Sequence, residues 1–274
     1  MMKRIALALL CVLLVAGAVF AGGARERAPN RLVVGVTLFP PMNFQDEQGN
    51  WTGFDTEFAL LVGERLGLEV EFQIIDWSRK FLELRAGTIN AIWNGMTANV
   101  VDAQTGRQRY EDVDFTYVYM LNQQAVVIRS ARAGEFQSTE DLVGKIVAAE
   151  AGSAGATIAT NAVGESGSLI GTTAQIDTFI EVNSGAVDFA MVDVILAEQM
   201  AGRGDLTDLM IAPIEMPAEV YAIGFSQGSP MVARVNEVIV SLYDSGELHR
   251  IAEKYGLETR VYLTRTPIQD MVRN

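Results

Sequence analysis

The sequence predicts an α/β protein of two lobes, each a mostly parallel sheet flanked by helices, joined by two crossings of the chain. Three observations lead to this fold class. Strand-like and helix-like segments alternate as βαβαβ from residue 31 to 93, a similar alternation restarts at 125, and the helices after 231 lack strand partners of their own. A chain that leaves the first lobe, builds the second and then returns explains all three.

The first lobe contains three predicted strands and two predicted helices. The first helix, Phe54–Leu66, has apolar residues at helical spacing, with Asp55 near its start and Gly67 just past its end. The second helix closes near Gly87. The strands are predicted at Arg31–Val36, 69–75 and 91–93, and the second helix at 77–85.

The second lobe repeats the alternation between two crossings, which are predicted near 119–124 and 217–222. Two crossings predict a pair of hinge strands, with a binding cleft between the lobes. The predicted domains are a leader at 1–21, lobe 1 at 22–120 plus 222–274, and lobe 2 at 121–221. The remaining predicted strands are 125–129, 145–149, 188–192 and 222–225, and the remaining helices are Thr139–Leu142, 152–161, 176–183, 194–201, 231–245 and 248–255.

Residues 1–21 have the pattern of a signal peptide. A basic start and an apolar run, 5–20, precede small residues, and cleavage is predicted after Ala21, with Ala18 as a second possible site. The run is shorter than the roughly 20 apolar residues that a spanning helix needs. We therefore expect a periplasmic protein that does not span the membrane after cleavage.

Composition excludes several classes of function. The formal net charge is −13 and becomes two units more negative when Lys3 and Arg4 leave with the signal peptide, which argues against nucleic acid or an anionic membrane as partner. Cleavage also removes Cys11, the only cysteine, and His249 is the only histidine. Cys-His dyads and His-based metal clusters are therefore not expected, and no P-loop or nucleophile elbow is present. The sequence indicates neither an enzyme nor a cofactor or metal.

A series of short motifs runs in order along the chain, and together they resemble one family. The series resembles the polar-amino-acid family of periplasmic binding proteins, bacterial extracellular solute-binding protein family 3. The motifs are RLVVGVTLFPPMNF from Arg31, GFD from Gly53, IDW from Ile75, WNGMT from Trp93, DFT from Asp114, VAAEAGSA from Val147 and VD from Val192.

The resemblance implies the two-lobed, type II periplasmic-binding-protein fold and binding without turnover. It implies a free α-amino acid as ligand, hinged closure of the lobes, delivery to the permease of an ABC importer, and a protein that we expect to be monomeric. Two alternatives remain open. One is an exported enzyme on the same fold, similar to a cyclohexadienyl dehydratase, for which Glu150 would be the general acid. The other is a ligand-sensing module.

The resemblance also implies which residues contact the ligand. Arg109 would take the α-carboxylate, because its planar fork suits bidentate contact, with help from Thr97 and the N–H of Ala154. Asp193 would take the ammonium beside the carbonyl of Gly95. The complete expected set is Phe39, Trp77, Asn94, Gly95, Thr97, Arg109, Ser153, Ala154 and Asp193.

Each role has a structural alternative. Arg107 could replace Arg109, because the segment 99–106 is longer than the usual loop before the family's arginine and leaves the register open. Asp193 could cap the helix that follows it. Phe39 and Trp77, which are expected to close over the ligand side chain, could belong to the core.

Two further departures from the family pattern concern the ligand side chain. Val36 stands where the family often has Asp, so an acidic contact to a basic side chain could be missing. Glu150 stands at a position that is often Lys, Gln or Leu. It could pair with a cation of the ligand or be a solvated turn residue.

Overall fold

A computed structural model describes residues 30–272, so the predicted signal peptide and its cleavage site lie outside the described residues. The strands are β1 Arg31–Val36, β2 Phe44–Gln45, β3 Trp51–Thr52, β4 Glu69–Ile74, β5 Ala91–Ile92, β6 Val101–Asp102, β7 Arg107–Gln108, β8 Asp114–Phe115, β9 Val118–Arg129, β10 Ile146–Glu150, β11 Ser168–Thr172, β12 Phe189–Asp193, β13 Leu209–Ile211, β14 Ala218–Tyr221, β15 Gly224–Phe225 and β16 Val261–Thr264. The helices are α1 Phe54–Leu66, α2 Lys80–Ala86, α3 Ala154–Val163, α4 Asp177–Ser184, α5 Val194–Met200, α6 Met231–Asp244, α7 Glu247–Lys254 and α8 Ile268–Val272.

Lobe 1 is built on a five-stranded sheet of order β4-β1-β5-β15-β8. Strand β1 is parallel to β5, whereas β15 is antiparallel to both of its neighbours. Helix α1 has the predicted bounds. Gly67 ends it in the left-handed conformation, φ 67°, which glycine adopts without steric strain. Phe58 and Val62 on the inner face of α1 are fully buried in the core.

Lobe 2 is built on a sheet of order β11-β10-β12-β9-β13, in which β14 and β16 also pair with β9. Strand β10 is parallel to β11 and β12, while β12 is antiparallel to β9. Strands β10 and β12 run toward the cleft and end there. Strand β9 enters the lobe from the cleft, so it must run in the opposite direction.

The two-lobed α/β fold is therefore confirmed, but both sheets are mixed, and the prediction of mostly parallel sheets is wrong. In lobe 1 the antiparallel pairs result from the two crossings between the lobes. Strand β8 leads into β9 and β14 leads into β15, so the antiparallel pairing of the crossings continues into the lobe 1 sheet. The short connections leave no room for the crossover of a dozen or more residues that a parallel neighbour needs.

The two crossings are neighbouring hinge strands. Strand β14 pairs antiparallel with β9 from Ala218 opposite Gln123 to Tyr221 opposite Met120. Strand β9 has 12 residues and is longer than predicted, because its first residues, 118–124, form the outward crossing itself. The exact lobe limits at 120/121 and 221/222 remain predictions.

Strands β11, β13 and β16 were not predicted, because they are short and their residues are largely half-buried or exposed, without a clear apolar alternation. The helix predicted at 77–85 begins as a 3₁₀ turn, Trp77–Arg79, before α2. Within residues 30–272, no helix combines the length and the apolar character that a membrane span requires.

Candidate functional site

The candidate site is a cleft into which strand ends from both lobes converge. Glu150 and Asp193 are the last residues of β10 and β12, which are adjacent strands of lobe 2. Thr97 follows β5 of lobe 1 and forms a bridge with Tyr221 of the hinge strand β14. Ligands of α/β proteins commonly bind outside the carboxyl ends of the strands, and this cleft has that position.

Arg109 lies between the two lobes and is 1% exposed. Its Nη1 donates to the carbonyl oxygen of Thr97 at 2.8 Å, and its Nη2 donates to the carbonyl oxygen of Gly152 at 3.1 Å. Thr97 belongs to lobe 1 and Gly152 to the turn after β10 in lobe 2, so the guanidinium bridges the lobes. Arg107, in contrast, has a half-exposed side chain that pairs with Asp112.

Lys80 is a second buried cation in the cleft, which the sequence did not indicate. Its Nζ donates to Asp102 Oδ2 and to the carbonyl oxygen of Gly152, both at 2.9 Å. Burial lowers the pKa of Lys80 to about 8. The sequence could have indicated that Lys80 is buried, because Lys80 follows Trp77 by three residues and precedes Leu84 by four, on the apolar face of the helix.

Asp102 holds the two cations together from a hairpin. The unusually long segment between Thr97 and Arg109 folds into strands β6 and β7, which place the buried Asp102 carboxylate beside Lys80 and 3.5 Å from Arg109 Nε. Burial raises the pKa of Asp102, but Lys80 and Arg109 outweigh this effect and hold the pKa below its usual range. Asp102 is therefore a structural counter-ion for both cations.

Asp193 occupies the cap position of α5, but its side chain makes no capping hydrogen bond. It accepts instead from the hydroxyl of Tyr221 at 2.7 Å, from Gln124 Nε2 at 3.2 Å, and from the amides of Asn122 and Gln175. Burial raises the pKa of Asp193. The carboxylate thus faces the hinge strands rather than the helix end, and the capping alternative does not hold.

Glu219 is a further buried carboxylate, on β14, that sequence reasoning missed. Its Oε2 accepts from Thr97 Oγ1 at 3.1 Å, Asn122 Nδ2 at 2.8 Å and Gln124 Nε2 at 2.9 Å, while Oε1 has no hydrogen-bond partner among residues 30–272. Burial, and then the neighbouring Asp193, raise the pKa of Glu219 to about 7. Polar residues at alternate positions of both crossings were the available signal, because alternate residues of a strand share a face.

The loop after β5 places Gly95 against the rings of Phe39 and Tyr221. Gly95 has φ 56°, and a Cβ atom there would lie 2.5 Å from Phe39 Cε1, so only glycine fits. The side chain of Asn94 makes four hydrogen bonds, to Thr37 and Asn43, and is fully used in holding this loop. Phe39 and Trp77 are both buried; Trp77 packs in a hydrophobic cluster of lobe 1, and Phe39 in a larger cluster with members from both lobes.

The predicted turn of lobe 2 opens helix α3. Ser153 caps this helix, because its Oγ accepts from the N–H of Ala156 at 2.9 Å, and Ala154 is the first helical residue. Both residues are buried at the cleft, next to Gly152. The positive end of the α3 dipole therefore lies beside the Arg109 guanidinium.

The family described as bacterial extracellular solute-binding proteins, family 3, matches residues 32–258. The chain belongs to this family. Its members are extracellular solute-binding proteins, and the resemblance inferred from the short motifs is confirmed.

Relatives of this solute-binding protein match most of its length. An arginine-binding extracellular protein of Bacillus subtilis is 26% identical over 233 residues, which cover 84% of this chain and 88% of the relative. An L-cystine-binding protein of Escherichia coli is 23% identical over 267 residues, covering 92% and 95%. The structure of an ancestral arginine-binding protein bound to arginine is similar with a TM-score of 0.75 and 27% identity, covering 82% of this chain and 98% of that one.

The cleft of this solute-binding protein contains more buried acids than buried bases. The buried ionisable side chains that surround it are Lys80, Arg109, Asp102, Glu150, Asp193 and Glu219. Asp102 is shared by both cations, so Glu150, Asp193 and Glu219 have no ion-pair partner among the described residues. Unpaired buried carboxylates are unfavourable, and the pKa values of all three are raised, chiefly by burial.

Proposed function

We propose that this protein captures a free α-amino acid in the cleft between its lobes and delivers it to an ABC importer. One observation carries the proposal. A buried guanidinium, Arg109 of lobe 1, lies near two buried carboxyl groups, Asp193 of lobe 2 and Glu219 of the hinge strand β14. A zwitterion needs this combination of opposite charges, since each of its charged groups loses water on binding and must gain a partner.

The α-carboxylate would bind Arg109. Both terminal nitrogens of Arg109 now donate to carbonyl oxygens, and a carboxylate that takes over these donors gains charge-assisted, bidentate contacts. The N–H of Ala154 at the start of α3 would assist, because the N-terminus of a helix favours an anion. The hydroxyl of Thr97 now donates to Glu219 Oε2, and it would turn its one proton to the ligand carboxylate to complete the site.

The α-ammonium would bind between Asp193 and Glu219. Asp193 Oδ1 already accepts three hydrogen bonds, whereas Glu219 Oε1 accepts none, so Glu219 supplies the free acceptor and Asp193 the supporting charge. The carbonyl of Gly95 would be the third acceptor. Phe39 and Trp77 would close over the side chain of the ligand.

Delivery would depend on closure about the paired hinge strands β9 and β14. A ligand held by Arg109 from lobe 1 and by Asp193 from lobe 2 stabilises the closed form, because its affinity for that form is higher. The closed surface is what a permease would recognise. We place the mature protein in the periplasm, after removal of residues 1–21, and we expect a monomer. The named relatives, which bind arginine or cystine, support a free amino acid as the ligand.

The test is a binding screen on the mature protein, unfolded and refolded to remove any bound ligand. Each common amino acid is added and the melting temperature is measured, since a ligand at 100 times its Kd adds about 2.7 kcal/mol of stability. Stabilisation by at least one amino acid, with micromolar Kd in calorimetry, is expected. The absence of any stabilisation would contradict the proposal, and turnover of a prephenate-like acid would favour the dehydratase-like alternative instead.

A further inference from the structure

Among the described buried acids of the cleft, Glu150 is the one that neither pairs with Lys80 and Arg109, as Asp102 does, nor has a role in the proposed zwitterion site. It is the last residue of β10, is 2% exposed, and precedes the turn whose Gly152 carbonyl contacts both Lys80 and Arg109. Glu150 is therefore not a solvated turn residue, which was one of the two roles considered for it from the sequence.

The carboxylate of Glu150 has few partners of its own. Its Oε1 has no hydrogen-bond partner among residues 30–272. The hydroxyl of Thr37 is its hydrogen-bonding neighbour, but that hydroxyl also lies 2.9 Å from Asn94 Oδ1, and one proton cannot serve both acceptors. The two cations of the cleft pair with Asp102 instead. Burial is the main reason that the pKa of Glu150 is raised to about 8.

The other unpartnered atoms of the cleft are mostly acceptors as well. The buried oxygens without a hydrogen-bond partner around it, among the described residues, are Glu150 Oε1, Glu219 Oε1, Asn122 Oδ1 and Gln124 Oε1. Arg109 Nε is the donor without one. Buried polar groups are nearly always hydrogen-bonded, so these oxygens favour a ligand rich in N–H donors.

The charge balance of the buried groups in the cleft also favours a ligand that carries a positive charge. The α-carboxylate and α-ammonium of an amino acid cancel, so a ligand with a neutral side chain leaves the surplus of negative charge around Glu150 unchanged. A side chain that carries a positive charge reduces it. An acidic side chain would add to it and would face Glu150 directly.

We propose that the ligand is a cationic amino acid and that Glu150 is the acceptor for the positive charge of its side chain. This inference rests on the function proposed above and narrows it to one substrate class. Strands β10 and β12 are adjacent and parallel, and the register that sets Ala148 opposite Ala190 brings Glu150 level with Val192, one residue before Asp193. The Asp193 carboxyl is close enough to contribute to the raised pKa of Glu150. One ligand can therefore present its ammonium to Asp193 and its side-chain cation to Glu150.

The first test needs no variant. Kd values of the refolded mature protein are measured by calorimetry for arginine and for citrulline, which replaces the guanidinium with a neutral urea group of nearly the same shape, and for lysine and norleucine. The cationic member of at least one pair should bind about 10- to 100-fold more tightly, the range for a lost charge-assisted hydrogen bond.

The second test assigns the preference to Glu150. The variant Glu150→Gln keeps the shape of the side chain and should weaken binding of the cationic ligand about 10- to 100-fold, while binding of its neutral partner changes little. Glu165→Gln, an exposed acid of lobe 2, is the matched control and should bind like the parent. Melting curves establish that both variants fold.

Two results would overturn this inference alone. Neutral amino acids could bind as tightly as their cationic counterparts, or Glu150→Gln could leave the ratio between cationic and neutral ligands unchanged. In both cases an amino acid still binds and the proposed function stands. If no amino acid binds at all, both proposals are wrong.

Discussion

Arg109 donates through Nη2 to the carbonyl oxygen of Gly152 at 3.1 Å, a hydrogen bond from lobe 1 to lobe 2 across the cleft. The donor is the group that we expect to bind the ligand carboxylate, and the acceptor is in the turn that begins α3. In the proposed mechanism, ligand binding and closure of the lobes therefore both involve the Arg109 side chain. Substitutions at either end should therefore affect affinity more than folding.

Replacing Arg109 tests the carboxylate site. Arg109→Ala would leave the bound carboxylate buried without its partner, which costs about 3–5 kcal/mol and weakens binding by about 10²- to 10³-fold or more. Arg109→Lys should also lose affinity, because an ammonium cannot make the forked contact. Calorimetry with the best amino acid from the screen measures both.

The control for Arg109 is Arg107→Ala. Its half-exposed side chain pairs with Asp112 outside the cleft, so we expect less than about a tenfold change in Kd. If Arg107→Ala abolished binding and Arg109→Ala did not, the register of the carboxylate-binding arginine would be wrong by two residues.

Replacing Gly152 tests closure. Gly152 has φ 76°, and a Cβ atom there would lie 2.8 Å from the Cα of Ser78 in lobe 1. Gly152→Ala should therefore keep the lobes apart and lower the affinity for the amino acid at least about tenfold, as expected when 1.4 kcal/mol or more is lost. Small-angle scattering with saturating ligand should give a larger radius of gyration than for the parent.

Gly164→Ala is the matched control for Gly152. Gly164 also has a positive φ, 64°, but no atom lies within 4 Å of its added Cβ. Both variants place an L-residue at a positive φ that favours glycine, which costs about 1–3 kcal/mol, and only Gly152→Ala adds the contact between lobes. Equal loss of affinity in the two variants would mean that strain, not obstructed closure, is responsible.

Replacing Glu219 tests the ammonium site. In Glu219→Gln the amide oxygen can still accept from Thr97 and Asn122, but the charge that attracts the ligand is lost. We expect amino-acid binding to weaken at least about tenfold. The free variant should be no less stable than the parent at pH 8, since a buried charge with a raised pKa has been removed. Unchanged affinity would exclude Glu219 from the site.

The raised pKa values predict opposite effects of pH on stability and on binding. Burial raises the pKa of Asp55 and of Glu219 to about 7 and that of Glu150 to about 8. Between pH 5 and these values the folded protein binds more protons than the unfolded chain, so the free protein should become more stable as pH falls from 8 to 5.5. Denaturant unfolding at both pH values measures this.

Affinity should change in the other direction over the same range. A ligand ammonium binds the ionised carboxylates of Glu219 and Asp193, and protonation competes with it, so Kd should rise as pH falls from 8 to 5.5. Calorimetry in buffers of different ionisation enthalpy should also detect proton release on binding. An affinity that does not depend on pH would mean that these carboxyls do not contact the ligand.

Several local features could be predicted because neighbours in sequence determine them. The bounds of α1 follow from the apolar spacing of Phe54–Leu66 and from Gly67, which stops the helix at its left-handed position. The turn from β10 into α3 follows from Ser153, whose hydroxyl caps the helix three residues ahead. Two crossings follow from α6 and α7, which have no strands of their own. These features depend on the propensity and spacing of a few neighbouring residues, which the sequence specifies directly.

Other features depend on contacts between residues that are far apart in the chain. Lys80 has the position of a core residue on its helix, and only the docking of Gly152, 72 residues later, and of the hairpin with Asp102 makes it a cleft cation. Glu219 faces the cleft because β14 pairs with β9 in one register, and a shift of one residue would turn it outward. The sequence by itself therefore determined the two-lobed fold class, the order of the longer strands and helices, and the candidate residues of the site. Only the tertiary structure decided strand direction and which buried charges meet, because pairing register and side-chain burial are set by partners that local sequence does not specify.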